Sequence, residues 1–340
     1  MKRILISIVG LLITWAAMAR QPDGALGLLQ TPNNGIPAVA LAGESFEAVL
    51  LQQAELRLVD ASGQTSPPLE SVWKELPGGR FQARCVIPAS ATPGLYALEA
   101  TANGQTDRTV RAVCVRGEMP EYYVIAHASD THINSGEPRE SSVAMLKAVI
   151  EAINHSDAAL ALITGDLTQD GQPDQFQTFL GLLDTCVLPT FVCPGNHDRT
   201  GLNYEQFFGP LTYRFRFGLD GFLAFDTKDF ITADDLGPQD TDLYLFRREL
   251  KPCRWTFGVT HRYEQMMGMR SQLILFVDDP LDFLLFGHIH RENTPEESIV
   301  PWGTTRIHAV PAAINGAYRL IDVAVGGILL RPVQNATAPK

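Results

Sequence analysis

Positive charge is what this sequence has least of. Its 27 Lys and Arg face 38 Asp and Glu, a net charge of −11 over 340 residues. A protein that tracks a phosphate backbone needs a basic face, so a nucleic-acid duplex is not expected as a partner. A small phosphorylated substrate stays open, because bound cations can supply positive charge locally. Cysteine is sparse too. None of the five has the spacing of a zinc knuckle or a redox dithiol, and Cys186, Cys193 and Cys253 read as core. Cys85 and Cys114 each fall on the inward face of an alternating run, where a disulfide and two packed thiols are both open readings. There is no internal repeat and no low-complexity tract, which removes solenoid and disordered classes.

Long apolar runs are missing after the first twenty residues. The one at the start, Ile4 to Ala16, follows Lys2-Arg3 and ends at Ala17-Met18-Ala19. It is shorter than the roughly 20 residues that span a bilayer. Residues 1–19 therefore read as a cleaved signal peptide. No Cys follows the cleavage site, which argues against a lipoprotein. The mature chain is expected to be exported (periplasmic or secreted), with no transmembrane span.

Residues 20–117 carry short alternating runs separated by "ASGQTSPP", "PGG", "ATPG" and "ANGQ". That turn chemistry predicts a small all-β sandwich, immunoglobulin- or fibronectin-like. Residues 118–335 change to alternating buried strands and helix-spaced segments, such as "YYVIAHAS" followed by Ser141–Ile153. The alternation predicts an α/β domain with parallel strands and crossover helices, two stacked sheets flanked by helices. No candidate ligand lies upstream of Asp130, so a chain starting near Glu118 is expected to fold and to retain turnover of a small ester.

Five of these strands run into polar residues. The first ends at Ser129-Asp130-Thr131-His132, the second at Gly165-Asp166 and the third at Gly195-Asn196-His197-Asp198. "WTFGVT" runs into His261, and "FLLFG" into His288-Ile289-His290. Ligands of open α/β sheets bind beyond the carboxyl ends of the strands, so these residues should converge. Carboxylate, imidazole and amide oxygens suit Mn, Fe, Zn or Co. Asp130 with His132, and His288 with His290, are spaced so that both members of each pair reach one ion. Asp166 can bridge two ions through its two oxygens. Taken singly, Asp130 could cap a helix and His132 or His261 could be core histidines.

The ordered set D-x-H, G-D, G-N-H-D, a lone His and G-H-x-H resembles that of the calcineurin-like metallophosphoesterases, over Tyr122 to about Pro332. The resemblance implies a four-layer α/β/β/α sandwich holding two divalent ions. It gives Asp130, His132 and His290 to one ion and Asn196, His261 and His288 to the other, with Asp166 bridging. His197 would be catalytic, with Asp198 orienting it; Arg199 reads as a solvated surface residue, with contact to a phosphate as the other reading. The implied activity is hydrolysis of a phosphomonoester or phosphodiester by attack of metal-bound hydroxide. No Tyr follows Asp166, unlike the purple acid phosphatases, which share the domain order. "GDLTQDGQPDQF" looks more like the cyclic-nucleotide and glycerophosphodiester phosphodiesterase branch. Arg262-Tyr263-Glu264 departs from many relatives. The competing reading is a non-catalytic ligand-binding or cell-surface protein that keeps the fold; loss of a ligand or of His197 would mark it, and none is lost.

Overall fold

The structure, a computed structural model, describes residues 24–135, 140–226, 238–263, 272–300 and 303–338; the expected signal peptide lies outside them. Alternating residues build the first pair of layers. Strands β1 (Leu29–Thr31), β2 (Ala38–Leu41), β3 (Ser45–Leu50), β4 (Glu55–Val59), β5 (Ser71–Leu76), β6 (Arg80–Val86), β7 (Gly94–Ala102) and β8 (Gln105–Arg116) form two four-stranded sheets. Their orders are β1-β3-β6-β5 and β2-β8-β7-β4. Phe46, Ala48, Leu50, Leu58, Ala83, Cys85 and Leu98 fill the space between them. β5 escapes the sequence pattern because it is an edge strand, and its Val72 faces solvent.

Cys114 is not where the alternation puts it. Arg111 adopts φ +52°, and the β7–β8 register shifts between Tyr96 and Leu98. The bulge changes the phase of the strand. Ala112, Val113 and Val115 face the sandwich core, while Cys114 pairs with Val39, which packs on the core between the two later sheets. Both residues remain free thiols, and burial pushes each up to about 11.

The second part runs β9 (Tyr123–Ala128), α1 (Glu140–Asn154), β10 (Leu160–Thr164), α2 (Pro173–Leu183), β11 (Thr190–Cys193), α3 (Asn203–Phe208), β12 (Tyr213–Phe217), β13 (Asp220–Ala224), α4 (Pro238–Leu250), β14 (Thr256–Val259), β15 (Phe283–Phe286), β16 (Arg306–Ala309), β17 (Ala317–Ala324), β18 (Gly327–Leu330) and β19 (Gln334–Asn335). One sheet has the order β11-β10-β9-β17-β18, with β19 beside β17; the other is β12-β13-β14-β15-β16. β9 to β11 are mutually parallel, as are β13 to β16. Ile125, Leu160, Leu162 and Phe191 of the first sheet meet Phe222, Phe257, Phe283 and Leu285 of the second. Residues of opposite phase point outward. Val124, Ala126, Ile163 and Val192 take α1, α2 and α3, whereas Leu223, Leu284 and Phe286 take α4 and the turn at Leu273–Asp278. The result is the expected four-layer α/β/β/α arrangement.

The segment before β2 is shared between the two parts. Gly35 O accepts from Val192 N at 2.9 Å, so the N-terminal segment covers part of the free edge of β11. Asn33 Nδ2 donates to Phe208 O at 2.9 Å, and Ile36 is buried in the core between the two later sheets. From the β8 bulge, Arg111 Nη2 donates to Leu188 O at 2.6 Å and its Nε to Asn34 Oδ1 at 3.1 Å. Removing everything before Glu118 therefore strips an apolar side chain and several buried hydrogen bonds from these layers. Truncating a buried Ile alone costs roughly 2–5 kcal/mol. A chain starting at Glu118 is expected to melt well below one starting near Gly24. Thermal unfolding of the two chains checks this; equal midpoints would show that the segment contributes nothing. No helix among the described residues is long and apolar enough to cross a membrane.

Candidate metal centre

The carboxyl ends of β9, β10, β11, β14 and β15 meet at one place, as the strand-end chemistry anticipates. The loops after them interlock through backbone hydrogen bonds. Asp130 N donates to Gly165 O at 3.0 Å, His132 N to Asp166 O at 2.9 Å and Gly287 N to His261 O at 3.0 Å. Packing this close explains two of the motif glycines. A Cβ at Gly195 would overlap the Asp166 backbone and carboxylate, and one at Gly287 would overlap Ser129 Oγ.

The backbone is forced into an uncommon region here. Asp130, His132, Asp166, His288 and His290 have φ of +56°, +43°, +47°, +67° and +55°. Positive φ is rare for residues with a Cβ and persists only where the surroundings impose it. Five of the eight such residues described are expected ligands, so the strain is concentrated at the site.

Three groups of donors lie close enough to hold an ion: Asp130, His132 and His290; Asp166, His261 and His288; and His132, Asp166 and His197. The first holds the three residues expected on one ion, and the second joins Asp166 to His261 and His288. Asp166 belongs to the second and third groups, and His132 to the first and third, so these two residues connect the donors. Its Oδ2 lies 3.1 Å from His261 Nε2 and 3.7 Å from His132 Nε2. Asp130 Oδ1 lies 3.0 Å from His290 Nε2 and 3.8 Å from His132 Nε2. Asn196 brings an amide oxygen that is buried without a hydrogen-bond partner.

These residues fit a metal. Asp130 Oδ1 and His261 Nε2 are likewise buried without a hydrogen-bond partner, although each has an atom of another donor near 3 Å. Buried polar atoms are costly to leave unsatisfied, and a cation shared between their lone pairs would satisfy them together. Orientation is set from outside the cluster. His261 Nδ1 donates to Thr164 O at 2.7 Å, which aims Nε2 at the carboxylates. Burial alone lowers the His261 pKa, but the Asp166 carboxylate 3.1 Å away and the Asp130 charge outweigh it and raise it to about 9. A burial penalty on Asp166 is likewise overcome, by the adjacent His261, the His197 backbone N–H and the His132 charge, and its pKa falls to about 2. A metal would take the place of the His261 proton on the same lone pair.

Two expected roles are corrected. Asp198 does not orient the His197 ring. It accepts from Leu167 N, Thr168 N and Gly195 N at 3.0, 2.9 and 2.8 Å, tying the second strand-end loop to the third. Burial and the Asp166 charge raise this carboxyl to about 6 despite those bonds. The His197 ring is held by the Gln169 carbonyl instead, 2.6 Å from Nδ1. Nor is Arg199 a solvated surface residue. Its side chain is 10% exposed and pairs with Asp226, 3.0 Å away, beyond the end of β13. Nothing in the spacing of the motifs connects Arg199 to "GFLAFDT"; only the stacking of the two sheets does.

Residues 123–292 match the calcineurin-like phosphoesterase family. A probable cyclic nucleotide phosphodiesterase of Coxiella burnetii is 24% identical over 196 residues, covering 50% of this chain and 77% of that protein. One from Vesicomyosocius okutanii is 28% identical over 187 residues, covering 50% and 79%. Among solved structures, the purple acid phosphatase PPD1 of yellow lupin superposes with a TM-score of 0.56 at 12% identity. It covers 89% of this chain and 72% of that one, a likeness of fold. With a full set of carboxylate and imidazole donors at the strand ends, the chain belongs to the calcineurin-like phosphoesterases and is a metal-dependent phosphoric ester hydrolase.

Proposed function

We propose that the protein is an exported phosphodiesterase with a two-cation centre, formed by Asp130, His132 and His290 on one side and Asn196, His261 and His288 on the other. The observation that carries this reading is Asp166, which groups with His261 and His288 while its Oδ2 also lies 3.7 Å from His132 Nε2 of the other side. Two divalent cations held there, Mn, Fe, Zn or Co, would draw charge from a phosphoryl group and make water acidic enough to supply the nucleophile near neutral pH. The chain's residues do the rest. Asp130, Asp166 and His261 are buried, whereas the His290 side chain is 45% exposed, so the substrate enters past His290. His197 has Nδ1 committed to the Gln169 carbonyl, which leaves Nε2 to serve the leaving oxygen. A diester substrate is supported by relatives named as cyclic nucleotide phosphodiesterases and by a chain segment after Asp166 that has Leu167-Thr168 and no Tyr. Export rests on Lys2-Arg3, the apolar run and Ala17-Met18-Ala19.

Metal removal tests the core of this reading. Chelation is expected to abolish hydrolysis of bis-nitrophenyl phosphate, and added Mn, Co or Zn to restore it. Under saturating metal the diester should turn over faster than nitrophenyl phosphate. Full activity in a sample verified free of metal would overturn the mechanism; faster monoester turnover would overturn the diester assignment.

A further inference from the structure

His290 is the most exposed donor of the centre, and its backbone is among the strained ones. Strain of this kind needs an external restraint. The residues that follow supply three. Arg291 makes a forked pair with Glu297, at 2.8 and 2.9 Å. The Asn293 side chain joins the loop to β16, donating to Ile307 O at 3.0 Å and accepting from Ala309 N at 2.8 Å. Glu292 reaches back over the sheet and pairs with Arg319.

Arg319 is the unusual member. It lies in β17 directly opposite His127 of β9, its side chain is 7% exposed, and its Nε is buried without a hydrogen-bond partner. His127 and His308 are nearby, and burial together with the Arg319 charge holds both well below the usual histidine range, to about 3 and about 4. Neither gives the guanidinium a negative charge. Among the described residues Glu292 is the one carboxylate paired with it. A buried cation is strongly bound to its counter-ion, because losing the partner leaves the charge uncompensated. His127 also links this floor to the centre, since its Nε2 meets Thr164 Oγ1 at 2.9 Å and the Thr164 carbonyl accepts from His261.

We infer that Arg319, Glu292 and Asn293 are positioning residues for His290: the buried arginine anchors the loop after the G-H-x-H motif and so keeps His290 on the ion it shares with Asp130 and His132. The inference rests on the proposed metal centre. Its consequence is an asymmetry, with loosening of this loop weakening one ion and sparing the one held by His261 and His288.

The test uses the full-length chain loaded with zinc and a chromophoric chelator competing for it. Glu292→Gln keeps the side chain's size at a half-exposed position, and thermal unfolding checks that the fold is retained. It is expected to release one zinc at roughly 10–100-fold lower chelator concentration, the range for groups that orient ligands from behind. The second zinc should keep its wild-type midpoint. Asn293→Ala should act in the same direction. Arg319→Lys keeps the charge and should retain part of the affinity that Arg319→Met loses. Wild-type release in both Glu292→Gln and Arg319→Met would overturn the inference while leaving the metal centre standing, as would lowered melting temperatures with unchanged zinc release. Equal weakening of both zincs would overturn it too. A wild-type protein that holds no zinc, Mn, Fe or Co would overturn the metal centre and the inference together.

Discussion

Replacing Asp166 by Asn is expected to empty the centre of metal and to lower turnover roughly 10³–10⁴-fold, the several kcal/mol that cations contribute to phosphoryl transfer. The substitution is close to isosteric. Its carbonyl oxygen can take the place of Oδ1, which accepts from His197 N at 2.9 Å, so the loop after β11 keeps its anchor. What is lost is the second oxygen, which faces His261 Nε2 at 3.1 Å and His132 Nε2 at 3.7 Å. An NH2 group there has no lone pair to give either ion. His290→Ala is the comparison, since it removes one donor from one group. Metal content should fall further in Asp166→Asn than in His290→Ala, because one change weakens two sites. Two ions retained in Asp166→Asn would remove the bridging assignment. Loss of a single ion in both variants would make Asp166 an ordinary ligand.

The parts of this site that were legible in the sequence share one physical property: they sit at strand ends, where the backbone alone brings them together. Asp130, Asp166, Asn196, His261 and His288 each follow a buried run by a few residues, and parallel topology carries their ends to one edge. The motif glycines were legible for a related reason, since the interlocked loops leave no room for a Cβ. What escaped depends on contacts between elements far apart in the chain. Asp198 reads as a partner of its neighbour His197, but it binds backbone N–H groups of a loop some thirty residues earlier. Arg199 reads as solvated because its partner, Asp226, comes from the other sheet. Residues before β2 read as part of the sandwich, yet Ile36 fills the catalytic core and Gly35 bonds β11. Cys114 was misplaced by a bulge at Arg111, an interruption that alternation cannot register.

His197→Ala carries the other large effect, and the structure sharpens what it must distinguish. The Nδ1 of His197 is spent on the Gln169 carbonyl, while its ring meets the His132 ring edge-on at 4.8 Å between centroids. A ring nitrogen also falls in a donor group with His132 and Asp166, so a ligand role has a geometric basis that the motif alone did not suggest. As an acid or electrostatic catalyst, His197 should leave metal content unchanged when removed, and turnover should fall roughly 10²–10⁴-fold. That loss should shrink on a nitrophenyl ester, whose leaving group departs without a proton, and be full on an alkyl ester. As a ligand, its removal should release an ion and slow both esters alike. Excess metal should then recover part of the rate. As a packing residue it should lower the melting temperature and leave turnover nearly unchanged, because its backbone N–H still reaches Asp166 Oδ1. Equal losses on the two esters at full metal occupancy would exclude proton donation and leave His197 stabilising charge on the phosphoryl group itself.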